Sequence, residues 1–501
     1  MSEEVELMSL MDDGTTSDSD CPDRSDGVVN SAEVPAAAHK YVTYHRRWYL
    51  LASLAVLALS NGMMWLTYAP IPSRTADFYD ITVSQVDLFS ICYFVVSLIV
   101  GFIAIWLIER AGLRFAVMLG ALLNLVGASL RVVSTISGLR HSEGNYAFVV
   151  ALTGQVFTAI AQPFFLYSPT KLSFTWFSEK QRAVATMVTS MANPIGIGVI
   201  YVIAPRIVND DPAHQIPTLL WICAISAAIG FGLSLMWLLL GSKPPTPPGP
   251  CADDIKVPFL RGLKEVMCNR SFWWLIIIWG AGSGLFNGLL TLLPQFLCTY
   301  GYSEMYSGTW GGVLVFVGLV GAFVSGVIID VTKNFEGVAK VMCAFALICF
   351  IWFLEVFSLE DEPVLIAFSL CSFGFFGFAL MPVCLELGVE LTYPVAEATS
   401  SGLLWSATQL MGLFLTTVGE VMERDVSEEQ KDRSKCYGNI KPKDLTYTGL
   451  FFAAIGVAGY LLLVIGLRHP VYKRLQAEKS GTSSTTNGAT SSTTNRADNP
   501  T

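Results

Sequence analysis

The sequence predicts an all-α polytopic membrane protein, with twelve transmembrane helices in two pseudo-symmetric six-helix halves. The first observation is composition: 53% of the 501 residues are hydrophobic and only 14% are charged, whereas a soluble domain carries about 25% charge. The second is a mean hydropathy of +0.53. The third is a series of apolar runs of about 20 residues, the length that crosses a hydrocarbon layer about 30 Å thick.

These features exclude several functional classes. Recurrent apolar runs are not expected of a soluble enzyme or a disordered scaffold. The net charge of −9 offers no basic surface to a nucleic acid. We find no nucleophile–base pair or metal-bound water site placed for catalysis, so we do not expect an enzyme.

Twelve apolar segments define the expected helices. Those of the first half are residues 48–71, 86–108, 113–135, 147–168, 183–206 and 217–240. Those of the second half are residues 272–297, 308–330, 339–358, 364–388, 399–422 and 446–467. Helices are favoured because backbone groups in lipid must be hydrogen-bonded within their own segment. The alternating strands of a membrane barrel are not seen.

The remaining segments divide the chain. We expect a disordered cytoplasmic tail at 1–45, a first half at 46–240, a linker at 241–270, a second half at 271–468, and a cytoplasmic tail at 469–501 that is disordered from about 480. The linker begins with the Pro-rich spacer "GSKPPTPPGP". It ends with "FLRGLKEVM", which predicts a short interfacial helix.

Basic residues set the expected orientation. Lys and Arg concentrate in the loops on one side, while loops 298–307 and 359–363 have neither. The positive-inside rule therefore places both termini in the cytoplasm. The first span follows a long polar stretch, so we do not expect a cleaved signal peptide. A plasma-membrane location is favoured, but "EEVELM" faintly resembles an endolysosomal sorting signal and leaves that membrane open.

The two halves carry matching charged motifs. "IERAGLR" follows span two and "GVIIDVTK" follows span eight. "WFSEKQRAVAT" follows span four and "YPVAEATSS" follows span ten. Their equivalent positions indicate a duplicated unit. The alternative is that any cytoplasmic loop carries such charges.

On these motifs the chain resembles a major facilitator superfamily transporter, with Glu109 where Asp is usual. More narrowly it resembles solute carrier family 49, the feline leukaemia virus subgroup C receptor-related group. The motifs "NGMMWLTY", "GQVFTAIAQ", "FSEKQRAVAT", "IIDVTK" and "ELGVELTYPVAEATSSGLL" carry that resemblance, and the ending "HPVYKRLQAE" points to one branch of the group. The resemblance implies the major facilitator fold, with helices around a central cavity and transport by alternating access.

Several uncharged polar residues fall near the expected middle of the membrane. They are Asn61 in span one, Gln155 in span four, Asn193 in span five, Asn287 in span seven and Gln409 in span eleven. Buried polar groups in a span are costly, so we interpret them as candidate solute contacts. The alternative is that they only tie helices together.

Trp65 is the leading candidate for solute binding, because a Trp face attracts a quaternary ammonium ion. Tyr68 extends its expected helix face. The resemblance implies that Trp65 and Gln409 line the solute site, because choline-transporting members have these residues at matching places. Those members have Tyr and Gln where this chain has Asn287 and Pro194, so one aromatic wall of their site is missing here and a helix-kinking residue is added. For Trp65, packing or a lipid-interface position is the alternative.

The expected function is therefore transport of a small organic solute, with a choline- or ethanolamine-like cation as the first guess. Haem or another metabolite of the same family is one alternative, and a non-transporting receptor or scaffold is another. With no acid near mid-depth and no phosphate-binding loop, we favour facilitated movement down a gradient. A monomer is the expected state.

Charged residues at the expected cytoplasmic side are candidates for a gate between the halves. They are Glu109, Arg110, Arg114 and Arg182 in the first half and Asp330, Lys333, Glu386, Glu390 and Glu397 in the second. The alternative is a set of solvated loops.

Of the eleven cysteines, Cys298 and Cys436 fall in expected outer loops and are candidates for a disulfide, with free thiols as the alternative. The five scattered histidines fit no zinc spacing, so we expect no metal and no cofactor.

Overall fold

The computed structural model describes residues 44–140, 145–209, 212–240, 244–246, 259–357, 359, 362–426, 434, 436, 443–467, 472, 473 and 476. The expected disordered tails and most of the linker lie outside these residues. The predicted helix at the end of the linker is present as Phe259–Met267.

The first half contains ten helices in the described residues. They are α1 (Arg46–Trp65), α2 (Pro72–Tyr79), α3 (Val83–Arg110), α4 (Leu113–Val133), α5 (Ser137–Arg140), α6 (Tyr146–Leu166), α7 (Ser168–Trp176), α8 (Glu179–Ile207), α9 (Pro212–Leu235) and α10 (Trp237–Leu240). The six long ones, α1, α3, α4, α6, α8 and α9, match the six predicted spans. The first is shorter than predicted, because α1 ends at Trp65 and not near residue 71.

The linker helix is α11 (Phe259–Met267), and six long helices of the second half follow it. They are α12 (Arg270–Cys298), α13 (Glu304–Thr332), α14 (Phe335–Val356), α15 (Pro363–Thr392), α16 (Glu397–Val421) and α17 (Thr446–Gly466). Two short antiparallel strands, β1 (Arg424–Asp425) and β2 (Lys443–Asp444), pair before α17. All six predicted spans of this half are therefore helical.

Eleven helices of the described part are long and apolar enough to cross a membrane. The twelfth long helix, α16, carries buried Ser and Thr residues together with Gln409, and these lower its hydropathy. It packs between α3 and α12, which shield its polar side chains from lipid. The predicted all-α polytopic fold is confirmed, and α16 completes the twelve spans.

The two halves meet along two helix pairs, α3 with α16 and α8 with α13. Glycines allow these helices to approach closely. A Cβ at Gly412 of α16 would lie 2.5 Å from the Phe94 ring of α3, and one at Gly308 of α13 would lie 2.7 Å from the Tyr201 carbonyl of α8. Tight packing on both flanks closes the sides of the space between the halves.

The two membrane ends of the bundle differ in their connections. At one end, called the disulfide side, Cys298 at the end of α12 is bonded to Cys436, with a Cα–Cα distance of 5.0 Å. Thr299 Oγ1 donates to the Lys443 carbonyl at 2.8 Å, which fixes the β1–β2 pair beside α12. The opposite end, called the linker side, carries α11 and the ends of α3 and α13.

Candidate functional site

A cavity of about 140 Å³ lies between the halves and continues into the second half. Its polar and aromatic lining includes Trp65, Gln162, Asn193, Trp279, Asn287, Trp405 and Gln409. Pro194 lines it as well. None of the described residues around the cavity carries a formal charge, so any solute would meet aromatic faces and neutral hydrogen-bonding groups.

Trp65 is held by a polar clamp at the end of α1. The Nε2 of Gln155 donates to the carbonyls of Met64 and Trp65, each at 3.1 Å. Arg131 Nη1 donates to the same Met64 carbonyl at 3.2 Å. These bonds satisfy carbonyls that a helix end leaves unpaired, which explains why α1 can stop at Trp65 inside the membrane. The Trp65 ring packs edge-on against Phe94, with centroids 5.5 Å apart.

Gln409 and Gln162 join the two halves across the cavity. The Gln409 Nε2 donates to the Gln162 Oε1 at 3.3 Å, and Ser97 Oγ donates to that same oxygen at 2.7 Å. The Gln409 Oε1 and the Gln162 Nε2 are buried and have no hydrogen-bond partner. One acceptor and one donor in the cavity wall are therefore available to a solute.

The asparagine candidates divide into two kinds. Asn193 lines the cavity, and its Nδ2 donates to the Ala58 carbonyl at 3.1 Å, which ties α8 to α1. Asn287 also lines the cavity and is half-buried. Asn61 is fully buried away from the lining, where its Nδ2 donates to Asn124 Oδ1 at 3.0 Å.

Gln155 and Tyr68 also lie outside the cavity lining. Gln155 supports Trp65 from behind, as described above. Tyr68 cannot continue the face of Trp65, because α1 has already ended. Its ring packs on Phe89 with centroids 4.4 Å apart, and the Arg131 guanidinium lies 4.9 Å from its centre. Both residues therefore position the site from outside it.

Three cavity residues were missed from the sequence. Gln162 follows Gln155 by seven residues in "GQVFTAIAQ", which places it on the same helix face and was a usable signal. Trp279 and Trp405 pack edge to face with centroids 5.9 Å apart. They resemble lipid-facing tryptophans such as Trp106 in an apolar run, so only packing identifies them. The Trp279 Nε1 and the Trp65 Nε1 are both buried without a hydrogen-bond partner.

On the linker side, the predicted gate residue Glu109 bonds across the halves. Glu109 at the end of α3 accepts from Thr399 Oγ1 of α16 at 2.6 Å. Nearby, Thr170 and Ser401 place their hydroxyl oxygens 3.4 Å apart.

The other predicted gate residues lie around this contact. Arg110 and Lys333 are exposed, Arg114, Glu386 and Glu397 are half-buried, and Arg182 and Glu390 are buried. Arg182 Nε donates to the Phe177 carbonyl at 3.3 Å within the first half. The backbone of Asp330 belongs to α13, and its side chain lies outside the described part of the structure.

A second set of contacts joins the halves on the disulfide side, and the sequence did not indicate it. Arg74 Nε of α2 lies 3.7 Å from Glu304 Oε2 of α13, and both side chains are largely buried. The Ser73 backbone N–H donates to Glu304 Oε1 at 3.1 Å. Gln295 Nε2 donates to both oxygens of Asp87, at 2.8 and 3.0 Å. The cavity is thus flanked by polar contacts between the halves at both ends.

Comparison with known proteins identifies the family that has this architecture. Residues 50–416 match the Major Facilitator Superfamily model. The chain is 35% identical to solute carrier family 49 member A3 of Xenopus tropicalis over 441 residues, which cover 88% of this chain and 90% of the relative. It is 27% identical to the choline/ethanolamine transporter FLVCR2 of Homo sapiens, covering 75% and 72% of the two chains.

Solved structures show the same fold at low identity. The outward-conformation transporter FucP matches with a TM-score of 0.61 at 13% identity, covering 85% of this chain and 99% of that one. A bacterial Spinster homologue in an inward-facing, occupied conformation matches with a TM-score of 0.60 at 16% identity, covering 85% and 98%. The chain is therefore a multi-pass membrane protein that belongs to the major facilitator superfamily and, within it, to solute carrier family 49.

Proposed function

We propose that this protein moves a small ammonium-bearing solute across the membrane by alternating access, with choline and ethanolamine as the first candidates. The observation that carries the proposal is an uncharged cavity between the halves whose wall combines tryptophans with the unpaired amide oxygen of Gln409. A desolvated Trp face attracts a quaternary ammonium ion by about 2 kcal/mol or more. The Gln409 oxygen accepts a hydrogen bond from a hydroxyl or a primary ammonium group.

The family supports this solute class. Several relatives that match over three quarters of this chain are named choline/ethanolamine transporters. The Tyr and Gln of the family cage are replaced by Asn287 and Pro194, and both of these line the cavity. In their place Trp279 and Trp405 supply aromatic surface from the second half. The solute therefore meets a different arrangement of aromatic walls from the one implied by resemblance alone.

The two sets of contacts between the halves supply the gates. Opening toward the linker side breaks the Glu109–Thr399 bond, while opening toward the disulfide side breaks the Arg74–Glu304 and Asp87–Gln295 contacts. Rocking the halves about the cavity then exchanges one set for the other. The basic residues of its loops support a cytoplasmic linker side and cytoplasmic termini, and we favour the plasma membrane over an endolysosomal membrane.

The uncharged lining also favours facilitated movement. A proton-coupled carrier commonly places an acid or histidine along its solute path. The acids that make printed contacts between the halves, Asp87, Glu109 and Glu304, belong to the two sets of contacts at the ends of the cavity. We therefore assign them to gating and assign the driving force to the solute gradient.

The experiment measures uptake and release of labelled choline and ethanolamine in cells that express the wild type, Trp65→Ala or Gln409→Ala at matched abundance. We expect both variants to reduce movement at least tenfold, because each removes a contact made only in the cavity. Trp106→Ala and Leu410→Ala, at lipid-exposed positions, are the matched controls and should retain wild-type rates. Movement that both cavity variants leave intact would refute the site. No movement of either solute by the wild type would refute the ammonium assignment and favour a receptor role.

A further inference from the structure

The cavity is strongly asymmetric. Most of its lining residues belong to the second half, and they include positions on α14 and α17. These two helices pack on α12, α13, α15 and α16, so they belong to the interior of one half and not to the interface between halves. The cavity therefore has an apolar branch inside the second half, which we define by Cys343, Ala346, Phe350, Cys384, Gly459 and Leu463.

Small residues keep the apolar branch open. Protein interiors are normally packed without voids larger than a water molecule. Ala346 on α14 and Gly459 on α17 stand where larger apolar side chains would close the space. A Cβ at Gly459 would meet only the Ala281 Cβ, at 3.4 Å, which is an ordinary contact. The helices do not need this glycine for close approach, so its small size has no packing explanation.

The chemistry of the apolar branch does not suit water or an ammonium group. Its walls are aliphatic and aromatic carbon with the thiols of Cys343 and Cys384, and apolar cavities of this kind stay dry. The ammonium-binding groups and the buried polar atoms without partners are Trp65, Gln162, Trp279 and Gln409, in the same cavity. A single cavity therefore joins a hydrogen-bonding region with unmet polar atoms to a dry apolar extension.

We propose that the solute is an amphiphile, with an ammonium head bound by Trp65 and Gln409 and an alkyl chain bound in the apolar branch. This inference rests on the proposed function for the binding of the head group, and it adds an alkyl chain to the solute. The unpaired N–H groups of Trp65, Trp279 and Gln162 suit a head that also carries acceptor oxygens, such as an ester or phosphate. Choline alone leaves the apolar branch unfilled.

The test uses thiol labelling, because Cys343 and Cys384 line the apolar branch while Cys268 is exposed on the linker side. Membranes containing the full chain are treated with N-ethylmaleimide, and each cysteine is quantified by peptide mass spectrometry. The competing probes are choline, a trimethylammonium series with four, six and eight carbons in the chain, and octanol.

We expect the alkyltrimethylammonium probes to protect Cys343 and Cys384, while Cys268 is labelled at the same rate throughout. Apparent affinity should rise about fourfold for each added methylene that is buried, until the apolar branch is full. Equal protection by octanol would overturn the proposal, since the ammonium head would then be irrelevant. Protection that does not depend on chain length would overturn it too.

A second measurement separates this proposal from the first. Gly459→Leu fills the apolar branch, and Ala458→Leu places the same side chain on the lipid-exposed face of α17. We expect Gly459→Leu to remove the chain-length dependence of protection and Ala458→Leu to preserve it. Choline transport without any chain-length effect would refute the amphiphile alone. Chain-dependent protection without choline transport would refute choline as the solute and leave the amphiphile standing.

Discussion

The two halves share a helix arrangement but differ in what fills them. In the first half, α1 is surrounded by buried polar bonds: Asn61 with Asn124, Asn193 with the Ala58 carbonyl, and Gln155 with the carbonyls of Met64 and Trp65. In the second half the cavity extends into an interior whose lining, in the described residues, is mostly apolar. Directional hydrogen bonds fix the positions of the groups that they join, whereas apolar contacts let side chains repack. We therefore expect the first half to be rigid and the second half to adapt to its contents.

This difference explains how Trp65 can serve a site that lies mostly in the other half. Its backbone is clamped by Gln155 and Arg131, and its ring is packed by Phe94. The residues of the second half that face it, Trp279 and Trp405, are held by packing. Under the proposed function, the second half would accommodate solutes of different size without loss of the Trp65 position.

The largest expected effect compares two glycines. A Cβ at Gly196 of α8 would lie 2.0 Å from the Leu59 carbonyl oxygen of α1, whereas Gly459 has space. We expect Gly196→Ala to lower the free energy of unfolding by about 3 kcal/mol or more, because backbone must move, and Gly459→Ala to change it by less than about 1 kcal/mol. Unfolding of purified protein in detergent measures both. Equal losses would contradict a rigid first half and a spacious second half.

A smaller effect is expected from the support behind Trp65. Gln155→Leu removes donors to the Met64 and Trp65 carbonyls, and should cost about 1–3 kcal/mol of stability because those carbonyls remain buried. We also expect solute movement to fall several-fold although Gln155 does not line the cavity. The control is Thr153→Val on the same helix, at an exposed position. Unchanged transport by a folded Gln155→Leu protein would show that the clamp does not set the Trp65 position.

The smallest effect compares single bonds. Ser60 and Ser226 share a hydrogen bond of 3.0 Å in the first half, and Ser283 and Thr408 share one of 2.7 Å in the second. We expect Ser226→Ala and Ser283→Ala each to cost about 0.6 kcal/mol, the usual worth of such a bond in a membrane protein. If thermal unfolding shows that the two variants lose similar stability, the rigidity of the first half comes from the number of its hydrogen bonds. If Ser226→Ala loses much more stability, the rigidity comes from cooperativity among the buried hydrogen bonds of the first half.

The sequence predicted the helices well because each apolar run is set by membrane thickness, and even the polar α16 was identified. It failed at the end of α1, since the clamp that ends the helix at Trp65 comes from Gln155 and Arg131, far away in the chain. Trp65 was singled out for its aromatic face, and Asn193, Asn287 and Gln409 for their polarity at mid-depth, and all four line the cavity. Asn61 and Gln155 are also polar residues at mid-depth, but they face other helices. A single sequence does not show whether such a side chain faces the cavity or a neighbouring helix.

The disulfide-side contacts were missed for a related reason. Arg74 and Glu304 lie near span ends, where charges are common, and their pairing spans 230 residues of sequence. Cys298 and Cys436 were singled out because so few cysteines fall in that region, and the structure bonds them. Pairings between halves become visible only when the halves are folded together.

The absence of charge from the described cavity lining has an electrical consequence. A carrier whose binding site contributes no counter-charge moves the full charge of its solute, so each passage of a monovalent ammonium ion transfers one elementary charge. A membrane potential of 100 mV is then worth about 2.3 kcal/mol per ion, enough to hold a concentration ratio of roughly 50 across the bilayer. Under the proposed function, the voltage that cells already maintain would set both the direction and the limit of accumulation.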